Sequence, residues 1–466
     1  IVAILMLAPV GIALFDGGGH TLVAFGVSLV AVLTVATLLN WLGAGAPDTV
    51  HRKDAIGVVS LCWVLLGVFG ALPFVIEGSI PHPASAVFEA VSGFTTTGAT
   101  VVGNVDGLSR ATNLWRCLSH WIGGMGIVVL FVAVFPTLGV GAKHLFRSEV
   151  AGPITSGLRP KIKQTALALW WIYGGLTALC TLLYIIAGMP LFDAICHAFS
   201  TLGTGGFSTK GASVGHYKSA AIDWITIVFM LIAGLNFGLY YEVVRGRADA
   251  VWRNYEVRFY LLVNLIIIGV IFVTTQERHE DAFTAIRFAS FQTLAVTSTT
   301  GFMTEDFDTY PNFARYLLFL AMFMGGCAGS TAGGLKVSRV YALFKLAARE
   351  LRLVVQPQAV ISVRLGRSAI KASVVHSILV FVAAYFGIFA ICSAFMVLLG
   401  LDLITAMSSV VACLSSIGPG LAGVGPTMNF EFIPPIGKLV LSFCMIAGRL
   451  EIFVLLAILT PEVWRR

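Results

Sequence analysis

Four short apolar segments of this chain each end in a glycine that follows hydroxyl side chains. They are Phe94-Thr-Thr-Thr-Gly98, Leu202-Gly-Thr-Gly-Gly206, Val296-Thr-Ser-Thr-Thr-Gly301 and Leu414-Ser-Ser-Ile-Gly418. Two residues before each final glycine stands a hydroxyl, at Thr96, Thr204, Thr299 and Ser416. Twelve residues before it stands an alanine, at Ala86, Ala194, Ala289 and Ala406. One such segment alone reads as a turn or a close helix contact. Four copies in register predict four-fold pseudo-symmetry about an axis. Carbonyls gathered around an axis replace a cation's hydration shell, which is the chemistry of a selectivity filter. The candidate ion-binding residues are Thr96, Thr97, Gly98, Thr204, Gly205, Gly206, Thr299, Thr300, Gly301, Ser416, Ile417 and Gly418.

A second candidate is the run Gly325-Gly-Cys-Ala-Gly-Ser-Thr-Ala-Gly-Gly334, just ahead of Lys336. Half of its residues are glycine, and each glycine costs about 1 kcal/mol relative to alanine inside a helix. The run is predicted to break the helix after Met324. Irregular backbone at membrane depth is tolerated only beside a pore or buried in protein. Packing of small residues between helices explains Gly123-Gly-Met-Gly126 well enough, but this longer run less well. A third candidate is Arg449, read as lying midway along an apolar helix over 439–459. A charge at that depth costs at least ~2.5 kcal/mol on insertion scales and takes an interior partner. Glu451, two positions on, would point away from it on a helix. Arg116 and His120, one turn apart, are read as structural.

The elements that must position these residues are membrane helices. The chain is 58% hydrophobic and 11% charged, with a mean hydropathy of +0.91, whereas soluble domains are about a quarter charged. Runs over 21–47, 56–76, 117–142, 166–187 and 372–401 carry no charge, nor does the shorter 259–275. Those over 220–241, 312–334 and 434–459 carry an occasional one. With 1–15, ten transmembrane helices are predicted, about 20 residues being enough to span. The chain opens at Ile1 inside an apolar run, and further residues are expected upstream.

The loops 43–55, 139–165, 242–258, 336–372 and the tail 465–466 hold 21 Lys and Arg, against 5 in the loops of the other side. The basic side is therefore read as cytoplasmic, and the four glycine segments enter from the opposite face. The net charge of +7 is thus inner-leaflet anchoring; nucleic acid is not an expected partner, membrane lipid is. The organisation is a helix pair over 1–42 and four repeats, over 54–140, 160–243, 256–345 and 370–462. Each reads as long helix, short apolar segment, glycine, long helix. The short segments, 83–97, 190–205, 285–300 and 402–417, are too short to span and fit re-entrant helices. Each would aim the partial negative charge of its C-terminus at the axis. The fold class is all-α: four pseudo-symmetric helix–pore-loop–helix repeats around one ion pore, preceded by an extra helix pair.

Enzyme chemistry finds little footing. The eight cysteines make no CxxC pair and the nine histidines no HExxH pattern, so zinc and redox motifs are absent. No organic cofactor is expected in this chain. An ion-coupled symporter of another solute is the alternative, but it would show inverted repeats, and these are parallel.

On these motifs the chain resembles the membrane subunit of the Trk/Ktr/HKT potassium transporters, closest to the TrkH type. The residues that carry the resemblance are Ser92-Gly-Phe-Thr-Thr-Thr-Gly-Ala-Thr100, Gly205-Gly-Phe-Ser-Thr209, Thr299-Thr-Gly-Phe302, Ile417-Gly-Pro-Gly420, the 325–334 run and Gly448-Arg-Leu-Glu451. The extra N-terminal pair is similar to the Trk branch. The resemblance implies K+ as the ion at the filter residues, inner-membrane localisation and a homodimer with one pore per protomer. It also implies a cytosolic nucleotide-binding, TrkA-like regulatory subunit on the inner face. It marks Gly325, Gly326, Gly329, Ser330, Thr331, Gly333, Gly334, Lys336 and Arg449 as the gate. Arg449 would then donate to carbonyls near Gly329 to Gly333. Glycine at all four filter positions suits potassium; some plant relatives carry serine at the position of Gly98 and pass sodium.

Overall fold

The structure is a computed structural model that describes residues 2–45, 52–133, 158–366, 368–458 and 460–461. The basic loop 139–165 and the tail 465–466 fall wholly or mostly outside them, as does the end of the first repeat. The helices in chain order are α1 (Val2–Phe15), α2 (Gly19–Leu42), α3 (Arg52–Glu77), α4 (Pro83–Phe94), α5 (Arg110–Ala133), α6 (Leu158–Ile186), α7 (Leu191–Leu202), α8 (Ala220–Ala233) and α9 (Phe237–Val244). They continue with α10 (Asp249–Arg253), α11 (Tyr255–Thr275), α12 (Ala282–Thr297), α13 (Asn312–Ala321), α14 (Val337–Val355), α15 (Ala372–Leu398), α16 (Leu403–Leu414), α17 (Pro435–Arg449) and α18 (Phe453–Ile458). The one strand pairing among the described residues is a hairpin of Arg364–Leu365 with Ser368–Ala369.

The ten predicted spans are not ten unbroken helices. Among the described residues five helices are long and apolar enough to cross a membrane, or six if α8 and α9 count as one. The remainder are short or interrupted. α8 and α9 meet at a 94° bend across Gly234-Leu-Asn236. α13 stops at Ala321, earlier than the predicted Met324, and a non-helical stretch runs to Lys336. α17 ends at Arg449 instead of continuing to 459, and Glu451 and Ile452 both take positive φ. The second helix is thus broken in repeats two, three and four. The segment 336–372, read as a loop, holds the 19-residue α14. Its basic residues hide an amphipathic pattern whose buried positions are Val337, Ser338, Ala342 and Leu346.

The re-entrant helices lie where the apolar segments predicted them, as α4, α7, α12 and α16. Their starts are local chemistry. Pro83 takes the first turn of α4, where its missing N–H costs nothing. Asp281 and Asp402 accept from the N–H groups of Thr284 (2.6 Å) and Thr405 (3.0 Å), capping α12 and α16. The four alanines in register, Ala86, Ala194, Ala289 and Ala406, are fully buried. Their small side chains let neighbouring helices close on the re-entrant ones. α1 and α2 pack on the first repeat. Phe25 meets Trp115 edge-on, Trp115 meets Phe94 in the same way, and the indole donates to Gly70 O at 3.0 Å. The N-terminal pair therefore supports the end of α4, where the first glycine segment begins.

Candidate functional site

The four glycine segments share one backbone geometry. The hydroxyl residue two before the glycine is left-handed in each, with φ of 57° at Thr96, 54° at Thr204, 57° at Thr299 and 57° at Ser416. The next N–H turns back to the re-entrant helix: Thr97 to Ser92 O (2.8 Å), Gly205 to Ser200 O (2.9 Å), Thr300 to Ala295 O (3.0 Å) and Ile417 to Ala412 O (2.8 Å). This is the Schellman ending of a helix, with threonine or serine where glycine usually stands. A β-branched residue in that region is strained, and strain of this kind collects at functional sites. The second segment carries a further glycine, Gly203, which does not disturb the pattern; it lies in helical geometry at the end of α7.

The turn sends the last residues of each segment out of the helix with their carbonyls unpaired. In Thr96-Thr-Gly98 and its three counterparts, no carbonyl accepts a hydrogen bond from a described residue. Buried backbone groups are almost always paired, so this concentration of free acceptors is exceptional. The segments also touch in a closed cycle. A Cβ added at Gly98 would strike the carbonyl oxygen of Gly205, one at Gly206 that of Thr300, and one at Gly301 that of Ile417. One at Gly418 would lie 2.7 Å from Thr97 O, which returns to the first segment. Each glycine is left-handed, with φ between 71° and 98°. The order one, two, three, four, one is the pseudo-symmetry that the sequence register predicts. Two buried hydroxyls of the ring, Thr96 Oγ1 and Ser416 Oγ, have no partner among the described residues. A cavity of about 130 Å³ opens on the ring, lined by all four glycines and by Gly103 and Asn429 of the sparsely charged loops.

The 325–334 run folds against the other side of the ring. Gly333 N donates to Thr299 Oγ1 at 2.8 Å, and a Cβ at Gly333 would strike Ser415 O. Thr331 Oγ1 donates to Leu202 O (3.0 Å) at the end of α7 and lies 3.2 Å from Ala233 O. The bend between α8 and α9 receives the run: Cys327 N donates to Gly234 O (2.9 Å) and Phe237 N to Gly329 O (3.0 Å). Ser330 Oγ donates to Cys327 O within the run, and Lys336 Nζ to Ala332 O. Gly325 and Gly326 lie against Gly333, Gly334 and Ala332, so the two ends of the run meet.

Arg449 is 2% exposed and donates to Thr331 O at 2.7 Å and Gly123 O at 3.0 Å. Its acceptors are carbonyls, one of them on the glycine-rich run. Glu451 pairs with Arg339 of α14 instead. Residues that sequence reasoning passed over join this site. Glu256 Oε1 accepts from Ala328 N (2.7 Å) and Ser338 N (3.0 Å), tying the run to the start of α14. Asn236 caps α9 and stands against Gly329. Its signal was the pair Gly234 and Asn236 inside an apolar stretch. Arg116 and His120, read as structural, both lie on the ring of Phe207, the residue after Gly206.

The family model described as TrkH, a cation transport protein, matches residues 24–462. The chain belongs to the TrkH family. The Trk system potassium uptake protein TrkH of Salmonella typhimurium is 40% identical over 99% of this chain and 96% of its own length. The Trk system potassium uptake protein TrkI of Halomonas elongata is 33% identical over 100% and 95%. A crystal structure of the potassium transporter TrkH from Vibrio parahaemolyticus matches with a TM-score of 0.91 at 37% identity, covering 100% of this chain and 97% of that one. The all-α multi-pass membrane fold of the TrkH family is thus the fold of this chain, as its motifs indicated.

Proposed function

We propose that this TrkH-family chain takes up potassium across the cytoplasmic membrane, with the carbonyl ring as its selectivity filter. The observation that carries the reading is the closed cycle of unpaired carbonyls around four left-handed glycines. Such oxygens can replace the water around a dehydrated cation, while the negative ends of four re-entrant helices favour positive charge there. Potassium is the ion because the relatives are named for its uptake and glycine stands in every filter position. The purified chain in liposomes is expected to take up rubidium, a potassium substitute, with sodium competing weakly. Absence of cation uptake in folded protein would remove the reading.

The run 325–334 is the gate in this reading, with Lys336 and Arg449 at its base. It packs under Thr299 and Ser415 and has the small side chains of a movable plug. A second copy of the chain and a cytosolic, nucleotide-binding TrkA-like subunit are the proposed partners. The relatives' naming as parts of a Trk system supports this, as does the basic α14 that leads from the gate toward the inner face.

Arg449→Ala is expected to raise rubidium uptake about ten-fold, the effect of lowering a barrier by ~1.4 kcal/mol. The guanidinium bridges Thr331 O to Gly123 O, and hydrogen bonds from charged groups are worth roughly 1.5–3 kcal/mol. Removing it frees the gate from α5. Uptake per folded protein in liposomes is the measurement, with folding checked by size-exclusion profile and melting. Wild-type uptake in a folded variant would count against the clamp.

A further inference from the structure

Arg116 of α5 is 2% exposed, and its Nε donates to Glu89 Oε1 of α4 at 2.8 Å, with neither side chain in solvent. Glu89 stands nine residues before Gly98. Its carboxylate accepts from Val101 N (2.9 Å) and Thr100 Oγ1 (2.9 Å), on the segment that leaves the ring. Arg116 also reaches the neighbouring repeat. It donates to Ser208 O at 3.3 Å, and its guanidinium lies 4.1 Å from the centre of the Phe207 ring. His120 stacks on Phe207 at 4.1 Å. Phe207 and Ser208 directly follow the ring glycine Gly206.

The position nine before the glycine does similar work in two other repeats. His197 Nε2 meets Ser208 Oγ at 2.9 Å, and Gln292 Nε2 donates to Thr304 Oγ1 (3.1 Å) and Glu305 O (3.0 Å). In the fourth repeat Ser409 bonds within its own helix, and the preceding Ser408 reaches Leu421 O at 3.0 Å. Re-entrant helices are thus braced to the segments that exit the ring. Among the described residues only the first of these braces is an ion pair; it crosses to the second repeat through Arg116, as His197 crosses to the third by stacking on Phe302 at 5.8 Å. The ion pair sits behind the place where Gly98 meets Gly205 O. A buried ion pair is a poor source of stability compared with apolar packing. What it supplies is a fixed distance, with each nitrogen and oxygen of the two side chains hydrogen-bonded.

We propose that Glu89 and Arg116 are positioning residues for ion discrimination: their pair sets the spacing of the first and second segments and so the width of that quarter of the ring. This rests on reading the ring as the filter. The test uses the full chain in liposomes, with rubidium uptake measured against rising sodium. The double variant Glu89→Gln/Arg116→Met removes both charges at similar volume. Thr100→Val removes only the hydroxyl that both side chains contact. The sodium concentration that halves uptake is expected to fall roughly five-fold in the double variant, as for one net hydrogen bond lost, and about two-fold in Thr100→Val. A merely structural brace would lower the yield of folded protein and leave that concentration unmoved. Wild-type competition in a folded variant overturns the proposal, and Thr100→Val decides alone should the double variant not fold. Gly98→Ser measured alongside separates the two failures. If it shifts the competition and the brace variants do not, the brace is wrong; if it too shifts nothing, the filter reading has failed and takes the proposal with it. Arg110→Ala, which removes an exposed pair with Asp16, serves as the unaltered control.

Discussion

Deletion of residues 327–332 is expected to raise rubidium uptake at least about ten-fold, the effect of lowering a barrier by ~1.4 kcal/mol, with sodium competition nearly unchanged. The deletion is geometrically available because the ends of the run already meet: Gly325 lies against Gly333 and Gly334. It removes Thr331, and with it the Arg449 contact and the bonds to Leu202 O and Ala233 O. It also removes Ala328 N, one of the groups held by Glu256. It leaves Gly333, whose N–H supports Thr299 Oγ1 and whose backbone lies on Ser415 O. The run's contacts with the third and fourth segments therefore survive, while that to Leu202 O at the start of the second is lost, and discrimination is expected to survive with them. Any dependence of uptake on a cytosolic partner should largely vanish, since no plug remains to be moved. Flux equal to wild type in a folded deletion would place the barrier elsewhere. Raised flux with lost discrimination would show that the run supports the ring, and gate and filter would not be separable.

The four-fold ring was legible because its signal is repetition. A glycine, a hydroxyl and an alanine recur at fixed offsets, and the fold superposes those offsets in space. The re-entrant helices were legible because an apolar segment of their length cannot span a bilayer. The break in the third repeat was legible in the glycine density of 325–334, but the other two interruptions were concealed. Hydropathy sums over a window and is blind to a bend, so Gly234-Leu-Asn236 vanished inside an apolar run. α17 likewise hid its end at Arg449, because the residues beyond it are as apolar as those before. α14 was concealed for the opposite reason: its charges outweighed a buried stripe of four residues. The partners of charged residues were concealed throughout. Excluding Glu451 as a partner for Arg449 followed from helix geometry, but that Glu451 meets Arg339 across 112 residues of chain has no local signature. Glu89 and Arg116 are similar, since nothing in their spacing shows that the two face each other.

Gly98→Ser is expected to make sodium compete with rubidium about ten-fold more strongly, equivalent to ~1.4 kcal/mol of lost discrimination. The structure gives this substitution a sharper meaning than crowding. Gly98 has a φ of 81°, where an L side chain is strained by roughly 1–2 kcal/mol. Its added Cβ would strike the carbonyl oxygen of Gly205, a backbone atom with no rotamer to escape into. Either Gly205 moves outward, widening the ring, or residue 98 leaves the left-handed region and turns its own carbonyl. Both outcomes alter the first and second segments together and loosen the cage around the ion. The Oγ adds a ligand that binds a smaller, more strongly hydrated cation at least as well as potassium. Gly126→Ser is the matched control, because a Cβ there meets nothing within 4 Å and lies away from the ring on α5. Competition curves for wild type and both variants, each normalised to folded protein in the liposomes, provide the measurement. Superimposable curves for wild type and Gly98→Ser would remove Gly98 from the filter. A shift shared by Gly126→Ser would assign the effect to general loosening of the protein and not to the ring.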